Sequence, residues 1–324
     1  MELLLGCSKG LMALNRRPVT VLWNSAAGWS DSDEQVRQVE SILSGDGAPV
    51  TVFRIQKGED ITSTSRRLMS KGAEVLVAAG GDGTINGVAS ALVHSPASLA
   101  VIPAGTLNHF ARDLRIPLDV EEAAQCARNG HPIETDVGCV NNRIFINNSV
   151  LGLYPLYRAA REAYERKGLG ANRITQFFAV VRAILRVLWH LPHLNLELQL
   201  EDGGIIHAQT PFVLIANNEH EVENWNIGHR TSLNKGHLWV YVMRRCSRWA
   251  VMRFFASFLF KRFSRSEAFE IYRTRAVTVD TKAAHLRVGV DGEIVRMETP
   301  LRYSSLPKAL RVIAPLNYLP DADL

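Results

Sequence analysis

The segment from residue 75 to residue 86 constrains the fold of this chain more than any other feature. It consists of an apolar run, VLVAA, a glycine-rich turn, GGDGT, and the beginning of a helix-forming run. Glycine allows the backbone to approach a ligand closely, because no Cβ stands in the way. A helix that begins directly after such a turn presents unpaired N–H groups and the positive end of its dipole. The segment therefore predicts a strand–turn–helix unit that binds phosphate groups.

Asp82 is the unusual residue of this turn. A carboxylate in a phosphate-binding loop repels the ligand unless it contacts a magnesium ion or a hydroxyl proton. We therefore interpret Asp82 as a catalytic candidate and as the candidate protein ligand of a magnesium ion bound with a nucleotide. The alternative is a plain Gly-Asp-Gly turn between a strand and a helix. The turn matches neither the P-loop pattern nor the GxGxxG pattern.

Apolar runs and helical patterns alternate over the first part of the chain. Strands are predicted at 18–23, 50–55, 74–79 and 99–102, and helices at 33–44, 60–70, 85–93 and 121–128. This alternation with short loops is typical of a parallel sheet covered by helices. We predict an α/β nucleotide-binding domain over residues 18–135, preceded by an N-terminal extension over residues 1–17.

The pattern changes after residue 135 to short β-rich runs separated by Gly, Asn or Asp. These runs lie at 136–150, 194–201, 205–217, 237–243, 274–280, 284–290 and 293–298. Their spacing is typical of a mostly antiparallel arrangement. We predict a β-rich second domain over residues 136–304, and we expect residues 305–324 to complete the first domain.

The composition limits the class of protein. The chain has 324 residues, of which 47% are hydrophobic and 21% charged, as in folded globular proteins. The formal net charge of +5 favours an anionic partner, although such a charge is also ordinary for this length. The cysteines Cys7, Cys126, Cys139 and Cys246 form no CxxC pair, which argues against a zinc site or redox motif and fits a reducing cytoplasm. The N-terminal residues do not read as a signal peptide.

A second glycine turn follows the fourth predicted strand, in the sequence PAGTLNHFARDL at residues 103–114. Together with GGDGT it resembles the diacylglycerol kinase catalytic domain family, whose second segment reads Pro-x-Gly-Thr-x-Asn-Asp-Phe-Ala-Arg. GGDGT is shared with sphingosine kinases, NAD kinases and phosphofructokinases, but NAD kinases lack the second segment. His109 stands where the family usually has aspartate. The alternative interpretation of this segment is a helix start capped by Thr106 or Asn108, and it is compatible with the resemblance.

Two further motifs extend the resemblance over nearly the whole chain. Residues 24–28, NSAAG, are similar to the family's first loop, Asn-Pro-x-Ser-Gly, but lack its proline. Residues 289–293, GVDGE, resemble the family's late Asp-Gly-Glu motif. A simple hairpin turn is the alternative for Asp291 and Gly292.

The resemblance implies a fold, a reaction and a set of residues. The fold is an N-terminal parallel-sheet α/β domain of the NAD kinase and phosphofructokinase type followed by a mostly antiparallel β-sandwich, and residues 136–304 would then form the lipid-substrate domain. The reaction is transfer of the γ-phosphate of ATP, with Mg²⁺, to a lipid hydroxyl group, with diacylglycerol as the default acceptor. The residues implied to contact the nucleotide are Asn24, Ser25, Gly28, Gly80, Gly81, Asp82, Gly83, Thr84, Asn86, Gly105, Thr106 and Asn108. Asp82, Asp291 and Glu293 are the implied catalytic residues, and Glu293 is the preferred general base.

One segment departs from the family. Many bacterial members carry Asp-Gly in a loop of the second domain that holds a structural magnesium ion. The corresponding stretch here, LNKGHL at 233–238, has Lys235 in place of the aspartate. We expect this structural site to be absent, whereas the magnesium ion bound with ATP is still expected.

Two amphipathic stretches, 174–190 and 249–263, combine aromatic and basic residues. They suit either contact with anionic lipid or packing on the second domain, and each is too charged and short for a span of about 20 apolar residues. We expect a cytoplasmic enzyme that meets its lipid substrate at the inner face of the membrane and binds no nucleic acid; a homodimer is left open. The rival hypotheses are an NAD kinase-like enzyme and a lipid- or nucleotide-binding regulator without catalysis.

Overall fold

The computed structural model describes most of the chain. The described residues are 17–25, 33–45, 47–152, 194–219, 233–243 and 269–318. Gly28 and the two amphipathic stretches lie outside these ranges. Within them, no helix has the length and apolarity that a membrane crossing needs.

Parallel strands and helices alternate in the described N-terminal part of the chain. The strands are β1 (Val19–Trp23), β2 (Val50–Arg54), β3 (Val75–Gly80) and β4 (Ser98–Pro103). The helices are α1 (Asp33–Ser44), α2 (Ile61–Ser70), α3 (Asp82–Leu92), α4 (His109–Asp113) and α5 (Val120–Asn129). The strand order is β2–β1–β3–β4, and every residue of β3 and β4 is buried, as in sheets covered on both faces. The predicted parallel α/β architecture is confirmed.

The second part of the chain forms antiparallel strands. They are β5 (His131–Val140), β6 (Arg143–Phe145), β7 (Asn148–Gly152), β8 (Leu194–Leu200), β9 (Ile205–Thr210), β10 (Phe212–Asn217), β11 (Leu238–Met243), β12 (Phe269–Thr274), β13 (Ala276–Asp280), β14 (His285–Val290), β15 (Glu293–Glu298) and β16 (Leu301–Ala314). One sheet has the order β12–β11–β10–β7–β14–β15, while β16–β13–β8–β9 continue the parallel sheet beyond β4. A hydrophobic core between the two sheets contains side chains from both of them, and the predicted β-sandwich is therefore confirmed.

Strand β16 connects the two parts of the molecule. Its first residues pair with β13, its later residues pair with β5, and Val312 aligns with Leu99 of β4. A break in register between Leu306 and Leu310 contains Lys308 at a φ of 51°. The sequence pattern did not predict one long strand here, because Pro307 removes a backbone donor and normally marks a strand end or an irregularity. The domain boundary at residue 135, which lies inside β5, remains a prediction.

Helix α3 begins earlier than the sequence pattern suggested. The apolar periodicity begins at Ile85, whereas the helix begins at Asp82, with Gly81 as its N-cap residue. Three residues of the GGDGT turn thus form the first helical turn. This brings the unpaired N–H groups of the helix directly to the carboxyl end of β3.

Candidate active site

Two glycine turns meet at the carboxyl ends of β3 and β4. Gly80 aligns with Pro103, and the Ala104 N–H donates to the Gly80 carbonyl at 2.9 Å. A Cβ added to Gly105 would lie 2.9 Å from the Cα of Gly81, which is closer than real Cβ contacts allow. The two turns therefore pack backbone against backbone, and the second turn needs a residue without a side chain.

Asp82 lies between these turns and the beginning of α4. The backbone N–H groups of Asn108, His109 and Phe110 and the His109 side chain favour its ionised form. Burial has the larger effect and raises the pKa of Asp82 above its usual value. Its Oδ1 atom is buried and has no hydrogen-bond partner among the described residues. Because an unpartnered buried oxygen is costly, this atom is suited to accept a contact from a cation or a hydroxyl group.

Asn24, the first residue after β1, is fixed to the glycine turn. Asn24 Nδ2 donates to Thr84 Oγ1 at 2.8 Å, and the Asn24 N–H donates to the Ala79 carbonyl at 2.9 Å. Thr84 is buried and occupies the space beside Gly80, where an added Cβ would lie 2.5 Å from its Oγ1. The predicted contact residues Asn24 and Ser25 are thereby held next to the GGDGT turn.

The carboxylate of Asp291 accepts hydrogen bonds from two separate segments of the chain. Its Oδ1 accepts from the backbone N–H groups of Asn147 and Asn148, both at 2.9 Å. Its Oδ2 accepts from the Ile146 N–H at 2.7 Å and from the Asn86 side-chain amide. Burial raises the pKa of Asp291, and the four donors oppose this shift. Four donors match the four lone-pair positions of a carboxylate, so Asp291 fixes the β6–β7 turn to helix α3.

Glu293 lies near the beginning of the same helix. Its Oε1 is 3.9 Å from the position that a Cβ on Gly83 would occupy. Its Oε2 forms an ion pair with the guanidinium group of Arg143, the first residue of β6. The Glu293 side chain is 56% exposed, and Gly83 is exposed as well. A small molecule bound at the first turn of α3 would therefore have access to this carboxylate.

Helix α3 brings the three predicted catalytic residues together. Asp82 is its first residue, Gly83 faces Glu293, and Asn86 binds Asp291. Among the residues that the structure describes, no three His, Cys, Asp or Glu side chains form a group that could bind a metal ion. A cation at this site would therefore need ligands from a bound molecule in addition to protein oxygens.

A cavity of about 470 Å³ opens beside the second glycine turn. It is lined by Gln35, Pro103, Ala104, Gly105, Thr106, Asn108, Arg112, Leu118 and Val120. Three of these residues, Gly105, Thr106 and Asn108, were predicted to contact a nucleotide. Gln35, Leu118 and Val120 were not, because they belong to or adjoin helices α1 and α5 and carry no motif. Arg112 lies within the 103–114 segment but was not singled out.

The loop that contains Lys235 is held by a buried carboxylate. Asp136 accepts hydrogen bonds from the backbone N–H groups of Gly236 and Lys308, the latter at 2.9 Å. Its own N–H donates to the Leu233 carbonyl at 2.7 Å. Each oxygen of this carboxylate thus has a protein donor. The expected absence of a structural magnesium ion at this loop remains a prediction.

Two known family models match the sequence of this chain. Residues 18–140 match the profile of the diacylglycerol kinase catalytic domain, and residues 170–314 match the YegS C-terminal NAD kinase beta sandwich-like domain. A diacylglycerol kinase of Staphylococcus carnosus is 27% identical over 62% of this chain and 64% of its own length. One from Staphylococcus aureus is 34% identical over 41% of this chain. That match spans only 42% of the relative's length.

Solved structures with the same fold come from Bacillus anthracis. The crystal structure of a diacylglycerol kinase from this organism superposes with a TM-score of 0.67 at 18% identity. A second structure from the same organism has a TM-score of 0.72 at 20% identity. In both cases the match covers 92% of this chain and 97% of the other. At such low identity the likeness concerns the fold alone.

Proposed function

The chain belongs to the diacylglycerol kinase catalytic domain family, and on this premise we propose that it transfers the γ-phosphate of ATP to a lipid hydroxyl group. The observation that carries the proposal is that two carboxylates meet directly after the glycine turn. Asp82 begins helix α3, and Glu293 of β15 lies beside the first turn of the same helix. Phosphoryl transfer requires positioned phosphates, neutralised charge and an oriented hydroxyl group. Diacylglycerol is the first candidate for the acceptor.

The phosphate groups of ATP would bind at the contact of the two glycine turns. The N–H groups of the first turn of α3 and the dipole of this helix favour anionic groups there. Asn24 and Ser25, which directly follow β1, would border the phosphates on one side. The cavity beside Thr106 and Asn108 offers space for the remainder of the nucleotide.

Mg²⁺ fits the oxygen ligands of this site. It prefers hard oxygen atoms, and it usually binds one or two carboxylates together with substrate phosphates and water. The buried Oδ1 of Asp82 is such an atom and has no other partner among the described residues. When bound, the ion would neutralise the negative charge of the transferring phosphoryl group.

Glu293 is the best candidate for accepting the proton of the lipid hydroxyl group. Its Oε1 faces the glycine turn and its side chain is exposed to an incoming acceptor. The oxygens of Asp291 already accept four hydrogen bonds, so this residue is better suited to hold the site together than to accept a proton. Access from the surface is also what an enzyme needs if it meets its lipid at the inner face of a membrane.

Phosphate transfer from labelled ATP to a panel of lipids tests the proposal. The purified protein would be incubated with vesicles that contain diacylglycerol, another glycerolipid, a sphingoid base or a polyprenol, and products identified by mass. We expect one labelled lipid with the wild type and none with Asp82→Ala. Formation of NADP from NAD would instead support the NAD kinase-like alternative, against which residues 103–114 argue. ATP binding without any labelled product would support a regulator.

The close contact of the glycine turns gives a separate prediction about nucleotide binding. Gly105→Ala should weaken ATP binding about tenfold or more, because overpacking of this kind typically costs about 1–3 kcal/mol and would move the turns apart. Gly204→Ala is the control, since a Cβ there would meet only side-chain atoms, of Asp202 at 3.1 Å and of Leu200 at 3.7 Å. Titration calorimetry with ATP measures both variants. Wild-type affinity in Gly105→Ala would show that the turns do not bind the phosphates.

A further inference from the structure

We infer that Arg143 is a positioning residue for the proposed phosphoryl transfer, because it holds the Glu293 carboxylate with Oε1 facing the glycine turn. The inference rests on the proposed function, in which Glu293 accepts the proton of the lipid hydroxyl group. Arg143 binds one oxygen of this carboxylate, Oε2. The other oxygen is the one that lies near Gly83. Oε2 thus binds Arg143, whereas Oε1 is directed toward the place where the acceptor hydroxyl group would bind.

Two tight turns fix the positions of Arg143 and Glu293 on their strands. Arg143 directly follows the turn Asn141–Asn142, whose residues have φ values of 43° and 67°. Glu293 directly follows the turn Asp291–Gly292, whose residues have φ values of 42° and 89°. Positive φ at both central residues is the mark of the two-residue turn that matches the natural twist of a hairpin. Each charged residue is therefore the first residue of a returning strand, at a fixed distance from its turn.

The two hairpins are also fixed to each other. Asn141 Nδ2 donates to the Glu298 carbonyl at 2.9 Å, and Asn141 Oδ1 accepts from the Arg302 N–H at 2.8 Å. The Asn141 N–H donates in turn to the Arg302 carbonyl at 3.1 Å. The β5–β6 turn is thereby held against the end of β15 and the beginning of β16. These contacts fix the backbone from which the Arg143 side chain reaches Glu293.

Stability does not explain the ion pair. The Arg143 and Glu293 side chains are 42% and 56% exposed, and exposed pairs usually contribute little to folding. A pair of similar exposure, Arg17 with Glu74, lies just before β1 and β3. It is therefore at the opposite edge of the sheet, about 20 Å from the glycine turn, because β3 rises about 3.3 Å per residue. This second pair is a matched control for the loss of an exposed arginine.

The kinetics of Arg143→Ala test the inference. We expect the kcat for lipid phosphorylation to fall roughly 10- to 100-fold, a part of the 10²–10⁴-fold that a general base contributes. The KM for ATP should stay within about twofold, because only the acceptor side changes. Arg143→Lys should recover part of the loss, and Arg17→Ala should keep the wild-type kcat. Urea unfolding of the three variants should give midpoints close to that of the wild type.

A double-mutant cycle separates positioning through Glu293 from a general effect. In a Glu293→Gln background, Arg143→Ala should cause no further loss of kcat, because its partner carboxylate is already gone. An equal loss in both backgrounds, or a wild-type kcat for Arg143→Ala, would overturn the inference. If the wild type labels a lipid, such a result leaves the proposed function intact. A wild type that labels no lipid would refute the proposed function and the role of Arg143 with it.

Discussion

Asp82→Asn should lower the kcat for lipid phosphorylation by about 10²–10³-fold, the usual effect of removing one electrostatic contact to a transition state. The asparagine side chain has the same shape, and its oxygen can still accept from the N–H groups at the beginning of α4. What the substitution removes is the negative charge, and with it the ligand that the buried Oδ1 offers to a cation or a hydroxyl group. The loss should therefore concern catalysis rather than folding.

Nucleotide binding distinguishes this role from a general weakening of the site. Without Mg²⁺, the carboxylate of Asp82 repels the phosphates of ATP, so Asp82→Asn should bind ATP at least as tightly as the wild type. With Mg²⁺ present, we expect the variant to bind ATP no more tightly than the wild type. Titration calorimetry with and without Mg²⁺, next to steady-state kinetics, measures both effects.

Asp202→Asn is the control for this experiment. Asp202 also accepts a hydrogen bond from a backbone N–H, that of Gly204, but it lies in the exposed β8–β9 hairpin. Its substitution should leave kcat unchanged. If Asp82→Asn kept more than about a third of the wild-type kcat, Asp82 would be only a cap for α4, since such a loss is far below one catalytic contact.

Local patterns explain why part of the site could be predicted from the sequence. The segment 75–86 contains a strand, the GGDGT turn and a helix start within twelve residues, and each of these has its own local signal. The structure accordingly brings Gly80, Asp82 and Thr84 to the carboxyl end of β3. The second turn also has a local signal, a glycine after a strand. The structure gives the reason for this glycine, because a side chain at Gly105 would collide with the first turn.

Contacts between distant segments explain what could not be predicted. Arg143 is 150 residues from Glu293, and a single arginine after Asn-Asn carries no sign of its partner. The bonds of Asp291 to residues 146–148 depend in the same way on the pairing of β7 with β14. Strand β16 was missed for the opposite reason, because Pro307 indicates a local break that the register shift accommodates.

Asp291→Ala should lower the free energy of unfolding by about 2–4 kcal/mol. The variant leaves four N–H donors without their acceptor, and each unsatisfied buried donor costs about 1–3 kcal/mol. The expected sum is smaller than four such losses for a physical reason. Burial raises the pKa of this carboxyl group, so the wild type already bears a desolvation cost that the alanine variant does not.

Activity should fall together with stability in this variant, because the Asp291–Gly292 turn positions Glu293 and the bond to Asn86 holds α3. Asn86→Ala removes only one of the four donors and should cost about 1 kcal/mol. Asp202→Ala, which removes a carboxylate from an exposed turn, should change stability by less than about 0.5 kcal/mol. Urea unfolding at one pH measures all three variants. If Asp291→Ala were no less stable than Asn86→Ala, the backbone N–H groups of residues 146–148 would have other acceptors, and Asp291 would not connect the two parts of the site.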